Sequence, residues 1–82
     1  MAKILYFAIL VDRLGRASEE TALPASVTDV RTLLAWLRRR GDNWNRALAD
    51  NAVRVTINRQ IVALDSPVDD NAEIAIVSMR PD

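Results

Sequence analysis

Ser26-Val27-Thr28-Asp29-Val30-Arg31-Thr32-Leu33-Leu34-Ala35-Trp36-Leu37-Arg38-Arg39-Arg40-Gly41 is the stretch on which the fold turns. Val27, Val30, Leu33, Leu34 and Leu37 recur at helical spacing and form one apolar stripe. Ser26 is a good N-cap, and Asp29 can reach back as a shortened capping box. Arg38-Arg39-Arg40 suits the negative end of the helix dipole, and Gly41 stands where a left-handed C-cap belongs. The spacing predicts a helix over 27–40. Its stripe has to be buried on whatever flanks it.

What flanks it is strand. Upstream, Ala2 to Leu10 is apolar on both faces and predicts a central strand covered on both sides. Leu14-Gly15-Arg16 reads as a turn into a polar edge strand, Ala17 to Leu23, which Pro24 stops. Downstream, Asn43 to Asp50 reads as a short helical turn with Trp44 and Leu48 inward. Val53 to Ile57 alternates as a strand, Asn58-Arg59-Gln60 is a tight turn, and Ile61 to Leu64 is a short second run ended by Ser66-Pro67. Asp69-Asp70-Asn71 forms another turn, with Asn71 suited to the left-handed region. Glu73 to Met79 is the last strand, Ile74 and Ile76 facing one way, Ala75 and Val77 the other.

One main helix after a hairpin implies an α+β two-layer sandwich, a mixed sheet of about four to five strands packed on the helix. The first and last strands are the most apolar and are expected to pair mid-sheet. That is a β-grasp arrangement, although split and ferredoxin-like α+β topologies fit similar strings.

The 82 residues make a single domain, 1–82, with 78–82 expected to project as a C-terminal tail because Pro81 cannot continue a ladder. Eleven basic and eleven acidic residues cancel, so no net field favours nucleic acid or a membrane surface. Cys 0 and His 0 remove thiol catalysis, Ser-His-Asp triads and Cys or His metal sites. Asp65, Asp69 and Asp70 lack the spacing of a calcium loop and read as turn chemistry. The expectations are no catalytic residue, no metal, no cofactor and a cytoplasmic location.

The motifs are familiar in combination. Lys3-Ile4-Leu5-Tyr6-Phe7-Ala8, Leu14-Gly15, Ser26-Val27-Thr28-Asp29-Val30, Asp42-Asn43-Trp44, Ile57-Asn58-Arg59-Gln60-Ile61-Val62, Ser66-Pro67-Val68 and Asp70-Asn71-Ala72-Glu73-Ile74-Ala75 resemble the small subunit of molybdopterin synthase. The similarity runs from Met1 to about Val77 with the motifs in order. The resemblance implies a ubiquitin-like sulfur carrier with two partners. An adenylating enzyme activates the terminal carboxylate, a sulfur source makes the thiocarboxylate, and the large synthase subunit uses it to build the dithiolene of the molybdenum cofactor. It also implies partner-binding roles for Phe7, Ile61 and Val77 on an apolar docking face, and for Arg80, Pro81 and Asp82 in the tail. Read as plain strand residues, Phe7, Ile61 and Val77 would be core.

The sequence departs from this family at one place. Its two glycines are Gly15 and Gly41, and Ser78-Met79-Arg80-Pro81-Asp82 reaches Asp82 where the carrier glycines would begin. The alternative expectation is therefore a β-grasp interaction or regulatory module that has lost carrier chemistry.

Overall fold

The computed structural model describes residues 1–79. Five strands and three helices follow in the order β1 (Ala2–Phe7), α1 (Ile9–Leu14), β2 (Ser18–Thr21), α2 (Val30–Arg38), α3 (Asp42–Ala47), β3 (Val53–Ile57), β4 (Gln60–Ile61) and β5 (Glu73–Ser78). They form one sheet in the order β2-β1-β5-β3-β4. β1 and β5 pair in parallel, Lys3 with Glu73 through Phe7 with Val77, and every other pairing is antiparallel. The first and last strands do meet inside the sheet, as the sequence predicts.

The helical stripe lies against one face of this sheet. Val30, Leu33, Leu34 and Leu37 are buried together with Ile4, Tyr6, Val55, Ile74 and Ile76. Each such side chain contributes about 1.5–3 kcal/mol of burial. The helix itself is shorter than its pattern. Asp29, not Ser26, is the N-cap: its Oδ1 accepts the Thr32 N–H at 2.8 Å, while the Thr32 hydroxyl accepts the Asp29 N–H at 3.0 Å. Thr32 at the third position thus closes a reciprocal capping box. Val27 is buried ahead of the helix, its N–H bonded to the Pro24 carbonyl at 2.9 Å, so apolar spacing alone placed the start too early. Gly41 takes φ 158, ψ 177 at the N-cap of α3 rather than a left-handed C-cap of α2.

Two further expectations are corrected. The first strand stops at Phe7, because Ala8 turns the backbone to φ 55, ψ −132 and Ile9–Leu14 coil into α1. Leu10 and Leu14, one helical turn apart, are both buried, and Gly15 at φ 77 caps the helix with its N–H on the Val11 carbonyl at 3.0 Å. Gly15 therefore ends a helix instead of making a hairpin. The second correction concerns cover: β1 reads Ala2, Ile4 and Tyr6 buried but Lys3 and Phe7 exposed, so only one face of the strand is packed.

Smaller differences lie at the edges. β2 keeps only four residues of 17–23, and β4 keeps only two, Gln60 and Ile61, of the 61–64 run and its turn. Positive φ falls at Ala8, Asn58 and Arg59, not at Asn71, whose N–H instead bonds Asp69 Oδ1 at 2.8 Å. Ser78, assigned to the tail, is the last residue of β5, and the Met79 N–H still bonds the Ala52 carbonyl at 2.8 Å. Arg80, Pro81 and Asp82 lie outside the described residues.

Candidate docking face

The open face of the sheet is set by strand alternation. On β1 the outward residues are Lys3, Leu5 and Phe7; on β5 they are Glu73, Ala75 and Val77. Register then decides which of them meet. Phe7 stands beside Val77, and Val77 beside Arg54; Leu5 stands beside Ala75, Ala75 beside Thr56, and Thr56 beside Ile61. Phe7 is 45% and Ile61 69% exposed, values that overturn the core reading for both. Val77 is half-buried between its neighbours.

Phe7 and Val77 thus form one contact pair, in a shallow hollow with Leu5, Thr56, Arg59, Glu73 and Ala75. Ile61 shares the face but lies two strands further along, where it borders a second hollow with Arg54 and Met79. Met79 is itself 53% exposed, which extends the apolar strip toward the point where the chain leaves β5. Ala75 was already placed on the Val77 face by alternation, but Leu5 and Arg54 were not singled out from the sequence. Alternation along each strand was the signal that could have found them.

The helical side carries a different cluster, also missed. The Arg40 guanidinium makes two hydrogen bonds to Glu19, at 2.7 and 2.8 Å, and lies over the rings of Trp44 and Trp36 at 4.7 and 5.2 Å. The Tyr6 hydroxyl donates to the same Glu19 Oε2 at 2.9 Å, and the Tyr6 ring meets Trp44 edge-on at 5.6 Å. Burial pushes the Glu19 carboxyl up, but the hydrogen bonds from Arg40 and Tyr6 and the nearby Arg40 and Arg16 charges outweigh it, leaving it below its ordinary value. Burial, with the Glu19 carboxylate as acceptor, raises the Tyr6 phenol.

These groups tie β1, β2, α2 and α3 together and are saturated by one another. The cluster is a structural clasp. Arg38 is likewise anchored, with Nη1 on the Leu48 carbonyl at 2.9 Å and on Asp50 at 2.8 Å. Two of the three arginines in the run, Arg38 and Arg40, are thus anchored, while Arg39 stays exposed.

Asp70 accepts the Leu23 N–H at 2.9 Å and faces the terminal amine at 3.3 Å, so it serves the fold. Among the described residues no group of His, Cys, Asp or Glu could hold a metal ion. No helix there is long and apolar enough to cross a membrane.

A five-stranded mixed sheet grasping one face of a helix, with the last strand central and an apolar open face beside the chain exit, defines the ubiquitin-like β-grasp class of proteins. The chain belongs to the ThiS family, whose model matches residues 4–79. Its fold is similar to that of a Pyrococcus furiosus protein described as molybdopterin converting factor, subunit 1, at 24% identity and TM-score 0.76 over 94% of each chain. It is also similar to small archaeal modifier protein 1 of Haloferax volcanii, at 19% identity and TM-score 0.73 over 94% of each chain. Among curated proteins none matches the chain significantly.

Proposed function

We propose that this protein is the small, sulfur-carrier-like subunit of a molybdopterin synthase. It docks on the large subunit through the open sheet face and lays its C-terminal tail into that partner's active site. The carrying observation is the register of the two central strands: Phe7 and Val77 are paired where β5 gives way to the tail. A partner covering that apolar pair also receives whatever follows Met79. An apolar strip of this kind in a small protein calls for cover.

In this reading the chemistry belongs to the terminal carboxylate and to the partners. An adenylating enzyme activates it in the cytoplasm, and the carrier contributes only shape and presentation. That agrees with a chain that has no histidine and no cysteine. Arg80, Pro81 and Asp82 are the residues that would enter the partner. A second reading is an interaction or regulatory module without carrier chemistry. Gly15 and Gly41 are each isolated, and a side-chain-free pair best threads a narrow channel, so the choice between the two readings turns on whether glycines follow Asp82.

Two experiments test this. Co-expression with the large subunit should yield a complex that survives at micromolar concentration, and Phe7→Asp should abolish it at a cost in stability of only about 1 kcal/mol. Clean separation of the wild-type chains would overturn the docking reading. The intact mass of the protein from its native host separates the two functions. A mass fitting added terminal glycines, with or without sulfur in place of one oxygen, supports the carrier; the mass of the 82 residues supports the module.

A further inference from the structure

We infer that Arg59 is the charged anchor of the docking face, held at its rim to pair with a carboxylate on the partner protein. This rests on the docking reading above. Asn58 and Arg59 form the whole two-residue loop between β3 and β4, closed by the Ile57–Gln60 pair. Both are in the left-handed region, at φ 51 and φ 71. Such a loop is a type I′ turn, and its preferred occupants are asparagine followed by glycine.

Asn58 meets that preference and uses it. Its Oδ1 accepts the Glu73 N–H at 3.1 Å, and its own N–H donates to the Glu73 carbonyl at 2.8 Å. Arg59 does not meet it. A side chain there is held in a region that L-residues rarely enter, and glycine would serve the turn better. Among the described residues the guanidinium makes no hydrogen bond or ion pair that would repay the strain. It borders the Phe7–Val77 hollow instead.

Charge on the face points the same way. Lys3 stands in register between Glu20 and Glu73, so charges at that end alternate in sign. At the other end Arg54 stands opposite Val77, whereas Arg59 sits in the turn that follows Ile57, at the Glu73 end. The apolar strip thus carries one guanidinium at each end, Arg54 at one and Arg59 at the other, which fits an apolar partner surface with a carboxylate at its margin. A rim charge of this kind acts mainly on association rate and salt dependence.

The test compares wild type with Arg59→Gly, Arg59→Lys, Arg59→Glu and Phe7→Asp, by thermal melting alone and by titration with the large synthase subunit at several salt concentrations. Arg59→Gly should melt about 2–5 °C higher, as expected when strain leaves a small domain. It should bind about fivefold or more weakly, mostly through slower association, and with a flatter salt dependence. Arg59→Lys should bind within about threefold of wild type, and Arg59→Glu should be the weakest of the three.

If Arg59→Gly binds like wild type while Phe7→Asp does not bind, the docking reading stands and the inference about Arg59 is wrong. If Arg59→Gly melts lower than wild type, Arg59 serves its own fold and the inference is again overturned. If wild type does not bind at all, both fall together.

Discussion

At the scale of single residues the structure reverses the standing of several charges. Arg40 closes an apolar helix and looks like a solvent cation, yet its carboxylate partner lies 21 residues away on β2. No local pattern announces such a pair. The Glu19 side chain is 9% exposed, so removing only the cation strands a carboxylate with little water around it. Arg40→Met should cost about 2 kcal/mol in urea unfolding, and a double-mutant cycle with Glu19→Gln should show clear coupling. The helix start offers a cleaner comparison. Asp29→Ala should lose about 1 kcal/mol, whereas Ser26→Ala should change stability by less than about 0.5 kcal/mol. The reverse order would restore the N-cap that apolar spacing suggested.

At the scale of elements, legibility followed the range of the signal. β3 was read to the residue and β5 to within one, because alternation is local and both strands end at strong turns. α1 was invisible for a physical reason. Ile9, Leu10 and Val11 prefer strands, and the switch into a helix hangs on Ala8 adopting a backbone that suits glycine. Leu10, Leu14 and Gly15 together were the overlooked helical cue: two buried positions one turn apart, then a left-handed cap. Ala8→Gly should leave the melting temperature unchanged or higher, while Ala8→Val should lower it by several degrees through strain at a branched residue. The open face proposed for docking was half legible. Phe7, Ile61 and Val77 came from resemblance, but that Phe7 touches Val77 while Ile61 lies apart depends on register.

For the molecule as a whole, acid and alkali act on opposite sides of the same clasp. Glu19, Asp29 and Asp70 have carboxyls below their ordinary values of 4.5, 3.8 and 3.8. Glu19 falls because its bonds to Arg40 and Tyr6 outweigh burial, Asp29 through the Thr32 N–H and Asp70 through the Leu23 N–H. Their stabilisation is present above those values and is lost as pH falls through the lower folded-state ones. Tyr6 is shifted the other way, by burial first, from an ordinary 10.0. Its contribution is complete below pH 10 and erodes as pH rises toward the folded-state value. Stability should therefore plateau from about pH 5 to 9 and fall on both sides, with Glu19→Gln flattening the acid limb and Tyr6→Phe the alkaline one. Chemical denaturation across the pH range reads both limbs.

The parallel pairing of β1 with β5 has a practical side. Parallel neighbours start at the same end, so the amino terminus and the end of β5 are separated by the length of the sheet, about 20 Å for six residues. An affinity tag or fluorophore fused before Met1 would displace only the exposed pair with Asp70, which is worth little. The same label fused at the other terminus would follow β5, whose last residues lie beside Phe7 on the face where we propose that the partner docks. Pull-downs with the two fusions should disagree, and only bait attached at the amino end should report the native complex.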